Sequence, residues 1–137
     1  MTFTGKILLV DDEAHIRKFV GLILKKICTP TIIEAADGLA ALALYEQEKP
    51  DLILMDVNMP NLDGIQTLER LRQTAPDAFV VMLTSLTNRQ TVEQCARLGA
   101  LDYIRKDVPR EQLGAQLLQI ITDCFEPEAP DATPAAP

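Results

Sequence analysis

A chain of 137 residues, 47% hydrophobic and 24% charged, has the size and composition of one globular domain. With aromatics at 4% and no Trp, its core must be built from aliphatic side chains. Thirteen Lys and Arg against 20 Asp and Glu leave a net charge of −7, which argues against a nucleic-acid binder, since such domains present a basic face.

In chain order, Lys6–Val10 (KILLV) reads as a strand apolar on both faces, as a strand between two helical layers must be. Glu13–Ile27 sets Ile16, Phe19, Val20, Ile23 and Ile27 on one stripe at helical spacing. Thr31–Glu34 is a short β-branched strand after Pro30, and Asp37 with Gly38 opens an Ala/Leu-rich helix running to about Gln47. Asp51–Asp56 (DLILMD) is a second continuous apolar strand, stopped by the turn-rich Asn58-Met59-Pro60-Asn61 and Asp63-Gly64. Ile65–Gln73 is predicted helical, Phe79–Leu83 a strand, and Thr87–Leu98 a helix bounded by Gly99. Leu101–Arg105 is a short strand. Arg110–Phe125 is the last helix, with Leu113, Leu117, Ile120 and Cys124 in register and Pro109 near its first position.

Five strands, each followed by a helix, predict parallel pairing with right-handed crossovers: a doubly wound α/β fold. Residues 1–125 then form one domain. Residues 126–137 (EPEAPDATPAAP), holding four of the nine prolines and three acids, read as a disordered tail. Cys28, Cys95 and Cys124 are odd in number and far apart, which speaks against a disulfide framework or a zinc site. No basic segment followed by a long apolar run opens the chain, and no apolar run approaches about 18 residues. A soluble cytoplasmic protein with no membrane contact is the expectation.

In an open α/β sheet the ligand site lies beyond the carboxyl ends of the strands, where the strand order reverses. The first strand ends in Asp11-Asp12, the third in Asp56 and the fourth in Thr84-Ser85, and Lys106 follows the fifth. The second ends in Glu34-Ala35-Ala36, which reads as inert. Three carboxylates at one edge repel each other and raise one another's pKa, so the array calls for a cation. Hard oxygen donors without His or Cys point to Mg²⁺, with Mn²⁺ as the alternative. A lysine and a hydroxyl add a point charge and a donor for phosphoryl oxygens. A carboxylate nucleophile, a metal, an ammonium and a hydroxyl together make a phosphoryl-transfer site.

Taken singly, each residue has an ordinary reading: Asp11-Asp12 as a helix cap, Asp56 as a strand-ending acid, Thr84 as a strand residue, Lys106 as a solvated lysine. Four strand ends carrying compatible chemistry favour the joint reading. His15 reads as an exposed helix residue. Cys95 and Cys124 read as core, and Met55, Met59 and Met82 as core or loop packing.

The blocks ILLVDDEAHIR, EAADGLAAL, PDLILMDVNMPNLDG, VVMLTS and GALDYIRKD, in this order, resemble those of a bacterial two-component response-regulator receiver domain, from Lys6 to about Phe125. The resemblance implies a flavodoxin-like, five-stranded parallel sheet in the order 2-1-3-4-5 with five helices. It implies Asp56 as the phospho-acceptor, Asp12 as a direct metal ligand, Asp11 as an acid acting through a metal-bound water, and the Asn58 carbonyl as a further ligand. Thr84 and Lys106 would engage the phosphoryl oxygens, and Tyr103 would be the aromatic that turns inward as Thr84 moves. The implied phosphoryl donor is a phosphohistidine on a sensor histidine kinase or histidine phosphotransfer protein, and the implied target is a downstream protein. Such a domain catalyses its own phosphorylation and dephosphorylation rather than turning over small molecules.

Asp107 departs from the family pattern, which usually has Pro after the lysine. A cis bond before a non-proline residue costs about 2.5–4 kcal/mol, so a trans Lys106–Asp107 bond and a reshaped loop are expected. Leu86, two residues after Thr84, occupies a position that in the family tunes phosphoryl lifetime. The departure at Asp107 motivates an alternative, a receiver-fold interaction module that works without phosphorylation. A Mg²⁺ phosphohydrolase is a weaker reading, because its motif has Asp where this chain has Asn58. The length suggests a stand-alone receiver, with output through protein contacts or onward phosphotransfer.

Overall fold

The computed structural model describes residues 3–85 and 88–125. The expected tail and Leu86 lie outside the described residues. Five strands alternate with five helices: β1 (Lys6–Val10), α1 (Ala14–Ile27), β2 (Thr31–Ala35), α2 (Gly38–Glu48), β3 (Leu52–Met55), α3 (Gly64–Thr74), β4 (Val80–Thr84), α4 (Arg89–Arg97), β5 (Asp102–Arg105) and α5 (Arg110–Phe125). The sheet is parallel throughout, in the order β2-β1-β3-β4-β5. No helix among the described residues is long and apolar enough to cross a membrane.

The apolar runs of β1, β3 and β4 are buried on both faces because each face meets a helical layer. Alternate residues feed two cores. Ile7, Leu9, Leu52, Leu54, Val81 and Leu83 pack with Leu24 of α1 and Leu113, Leu117 and Ile121 of α5. Leu8, Val10, Ile53, Met55, Val80 and Met82 pack with Ala41 of α2, Leu68 and Leu71 of α3 and Cys95 of α4. Full burial of each such side chain stabilises the fold by about 1.5–3 kcal/mol, which is why the central strands carry polar residues only at their ends, Lys6 at the start of β1 and Thr84 at the end of β4. Edge strand β2 is only half-buried and carries Thr31 and Glu34 on its exposed positions.

Helix starts follow side-chain caps more closely than hydrophobic periodicity. Asp37 accepts from the Ala40 N–H at 2.8 Å, as expected for the start of α2. Asp63 and Gln66 form a reciprocal capping box that begins α3 at Gly64. Asn88 caps α4 through the Thr91 N–H at 2.8 Å and the helix runs from Arg89, while Thr87, where the sequence pattern begins it, lies outside the described residues. Pro109 precedes α5 by one residue, and its carbonyl accepts from Leu113 N–H at 3.0 Å. Cys28 and Cys95 are buried, whereas Cys124 is half-buried, less enclosed than its stripe suggests because it lies in the last turn of α5.

Arg72 joins α3 to α4. Its Nε donates to Leu98 O at 2.6 Å and its Nη2 to Gly99 O at 2.9 Å, while Nη1 donates to Ala75 O, Pro76 O and Ala78 O. Gly99 adopts φ +83°, a conformation that side-chain-bearing residues avoid, and this turn presents the carbonyls to the guanidinium.

The register aligns Val10 with Ala35 and with Met55, Met55 with Met82, and Thr84 with Arg105. The chain passes from β1 to β2 on one side and then to β3 on the other, so the order reverses between β1 and β3. The carboxyl ends of those two strands therefore flank an open crevice.

Candidate functional site

Asp11 leaves β1 directly over this crevice. Its N–H donates to Ala35 O at 3.1 Å, and its Oδ1 accepts from Glu13 N–H at 2.9 Å just before α1. Asp56 leaves β3 beside it, with its N–H donating to Val10 O at 2.9 Å and its Oδ1 accepting from Val57 N–H at 2.7 Å. Both acids are buried, at 6% and 5% exposure, whereas Asp12 is exposed. Gly64 fixes the wall behind Asp56. Its N–H donates to Val57 O at 2.8 Å, and a Cβ at this position would collide with the Asp56 carbonyl.

Lys106 enters from the end of β5. Its Nζ donates to Asp11 Oδ2 at 2.8 Å and to Asp56 Oδ2 at 3.0 Å, and lies 3.9 Å from Glu13 Oε1. Its backbone N–H donates to Thr84 O at 3.1 Å, which ties the lysine to the end of β4. Asp107 does not pull it away. Instead, Asp107 accepts two hydrogen bonds from Arg105, at 3.0 and 2.9 Å, on the exposed side of the loop. The alternation of the chain sends Arg105 and Asp107 outward and Lys106 inward.

Thr84 is 1% exposed at the end of β4. Tyr103 pairs in register with Met82 and packs, half-buried, against the core that holds Cys95. Burial, then the neighbouring Cys95 and Asp56, push its phenol up to about 12. Asn58 lies on the exposed loop two residues past Asp56, and His15 is an exposed residue of α1, as expected.

Asp11, Asp12 and Asp56 each offer an oxygen within 4.8 Å of the others. Burial pushes the Asp11 carboxyl up, against the hydrogen bonds from Lys106 and Glu13 N–H, and the Asp56 charge adds to the rise. Burial alone would lower the Lys106 pKa, but hydrogen bonds to Asp11 and Asp56 prevail and raise it. The one ammonium pairs with Asp11 and Asp56 and not with the third acid of the cluster, Asp12, so the cluster stays negative. The donor set is all carboxylate oxygen, and the spacing suits a small hard cation, whose opposed ligands lie about 4.2 Å apart. These residues fit Mg²⁺.

Glu34, read from the sequence as part of an inert strand end, is not inert. Its Oε1 accepts from Arg17 Nε at 2.7 Å, and Arg17 Nη1 donates to the Asp11 carbonyl at 2.6 Å. Applying the strand-end rule to β2 as to the other strands singles out Glu34. Arg17 leaves no such signal, because only the packing of α1 against β1 brings it back to Asp11. The helix-cap reading of Asp11 is realised in part: Glu13 is the N-cap of α1, and Asp11 accepts the Glu13 N–H.

Solved structures share this arrangement of elements. Chemotaxis protein CheY4 of Vibrio cholerae aligns with a TM-score of 0.77 and 29% identity over 86% of this chain and 99% of that one. CheY of Borrelia burgdorferi, in a structure described as a CheX-CheY-BeF3-Mg²⁺ complex, aligns at 0.79 and 28% identity over 85% of this chain and 89% of that one. CheY of Bacillus subtilis is 35% identical over 101 residues, which cover 74% of this chain and 84% of that protein. YhcZ of the same organism, described as an uncharacterized transcriptional regulatory protein, is 38% identical over 109 residues, 79% of this chain but 51% of that one. The chain thus spans about half the length of such regulators. The family model for the response regulator receiver domain matches residues 7–118, from β1 into α5 and across the whole acidic crevice, and the chain belongs to that family.

Proposed function

We propose that this receiver domain accepts a phosphoryl group on Asp56 in a Mg²⁺-dependent reaction and signals to a protein partner. The observation that carries the reading is the Lys106 bridge: an ammonium 2.8 and 3.0 Å from two buried carboxylates, beside the end of β4. Asp12, Asp56 and the Asn58 carbonyl would hold Mg²⁺ directly and Asp11 through a water. When bound, the ion supplies charge neutralisation for the phosphoryl oxygens.

An Asp56 carboxylate oxygen attacks the phosphorus of a phosphohistidine in line. The P–N bond breaks, the imidazole leaves with its electron pair and takes a proton, and an acyl phosphate remains on Asp56. Lys106 and the Thr84 hydroxyl stabilise the phosphoryl oxygens in this step. Thr84 then moves toward the phosphate, Tyr103 turns into the space behind it, and the population of the α4–β5–α5 face shifts. Water attack on phosphorus later restores Asp56.

The donor is a sensor histidine kinase or histidine phosphotransfer protein, the target is a downstream protein, and the compartment is the cytoplasm. The Asp107 departure, which motivates a phosphorylation-independent module, leaves Lys106 on both carboxylates. Incubation with phosphoramidate and Mg²⁺ followed by intact-mass measurement tests the reading. Wild type gains roughly 80 Da, one phosphoryl group, and Asp56→Asn gains none. A wild-type protein that stays unmodified at saturating Mg²⁺ refutes it.

A further inference from the structure

Arg17 sits in the first turn of α1, behind the acidic crevice, with its side chain 16% exposed. Its Nη1 donates to the Asp11 carbonyl, and that carbonyl belongs to the peptide joining Asp11 to Asp12. The nitrogen side of Asp11 is held as well, through its N–H to Ala35 O. On its other edge the guanidinium donates to Glu34 Oε1 at 2.7 Å. The stem of Arg17 lies against the apolar layer of Ile16, Val20 and Leu54 beside Asp11.

This geometry has a consequence for the two adjacent acids. Like charges on Asp11 and Asp12 repel, and rotation of the peptide plane between them would change where Asp12 points relative to Asp56. Arg17 holds that plane by its carbonyl. Glu34 orients Arg17 and neutralises its charge, so the clamp works without setting a second free cation beside the cluster.

We infer that Arg17, oriented by Glu34, is a positioning residue that holds the Asp11–Asp12 peptide so that three carboxylates converge on one divalent cation. The inference rests on the phospho-acceptor reading above for its role in the reaction. A planar guanidinium is required because one end must hold a carbonyl while the other holds a carboxylate. A lysine carries all its donors on one nitrogen and can bridge only acceptors that converge on one point, whereas here the carbonyl and the carboxylate meet different nitrogens of the guanidinium.

Calorimetric titration with Mg²⁺ of wild type, Arg17→Ala, Arg17→Lys and Glu34→Gln tests this. Loss of a residue that orients a metal ligand weakens affinity by about 10- to 100-fold, and Arg17→Ala falls at the lower end of that range. Arg17→Lys falls between wild type and Arg17→Ala. Glu34→Gln also weakens binding, by a smaller factor, because Arg17 is then free to leave the carbonyl. Phosphorylation by phosphoramidate shows the half-saturating Mg²⁺ concentration rising by the same factors, with the rate at saturating Mg²⁺ unchanged.

A purely electrostatic role gives the opposite sign for Arg17→Ala, tighter Mg²⁺ binding from removal of a nearby cation, and overturns the inference. Unchanged affinity overturns it too. Should Arg17→Ala fail to fold, Arg17→Lys decides, since it keeps the positive charge and loses the fork: weaker Mg²⁺ binding upholds the positioning role and unchanged affinity overturns it. A wild type that binds Mg²⁺ but takes no phosphoryl group, with affinities falling as stated, refutes the phospho-acceptor reading and leaves the positioning role intact. A wild type that is phosphorylated, with variants matching its affinity, does the reverse.

Discussion

Replacing Lys106 by Met keeps most of the apolar stem and removes the ammonium. The Nζ lies 2.8 Å from Asp11 and 3.0 Å from Asp56, with side-chain exposures of 10%, 8% and 6%. Removing one partner of a buried ion pair leaves an uncompensated charge and costs about 3–5 kcal/mol. Here the open side of the cluster, at exposed Asp12, admits water, so the lower figure of about 3 kcal/mol applies at neutral pH without metal. For a domain of this size that is a fall of roughly 10 °C in Tm. Burial already raises the Asp11 carboxyl against the lowering effect of Lys106, so without the ammonium it rises further and, between the unfolded and folded pKa values, the folded variant binds more protons than the unfolded chain. Its stability therefore falls as pH rises through that window, and its deficit against wild type is largest at neutral pH and narrows in acid. Mg²⁺ restores positive charge to the cluster. A ligand at 100 times its Kd adds about 2.7 kcal/mol, and the variant gains more than wild type because no ammonium competes for Asp11 and Asp56. Urea and thermal unfolding followed by circular dichroism, with and without Mg²⁺ across the acid-to-neutral range, read all three effects. A metal-free variant with wild-type midpoints at neutral pH, or a deficit that widens on acidification, refutes the reasoning.

Gly64→Ala pushes the start of α3 off the Asp56 carbonyl, with about 1–3 kcal/mol of destabilisation and a weaker Mg²⁺ site, read by urea unfolding and calorimetry. Arg72→Ala frees five carbonyls at the α3 and α4 ends and lowers stability by about 3 kcal/mol; Arg72→Lys recovers only part, because one ammonium cannot span both helices. Tyr103 ionises near 12, so tyrosinate absorbance shows a late step that is missing in Tyr103→Phe. Because this acid has a raised folded-state pKa, stability is intact below about 10 and falls as pH climbs toward that step, measured by alkaline unfolding.

The fold and most of the site were open to reading without coordinates, for a definite reason. Parallel strands buried on both faces must be continuously apolar, so KILLV, LILM and VVMLT announce themselves, and their carboxyl ends must share one edge. Asp11, Asp12, Asp56 and Thr84 follow from that rule alone. Other features depend on approach across tens of residues. The same rule marks Lys106 after the fifth strand, but only the return of β5 beside β4 places its Nζ on Asp11, 95 residues away. Arg17 shares its helix with Lys18, Lys25 and Lys26, but only the packing of α1 against β1 aims it at the Asp11 carbonyl. Glu34 gains its meaning from pairing with Arg17. Asp107, a departure that casts doubt on the lysine when read in one dimension, points outward to Arg105 and leaves Lys106 in place. Periodicity and strand-end chemistry are local and survive in the chain as written, whereas the charge pairing that shapes this acidic cluster exists only after the sheet has brought its ends together.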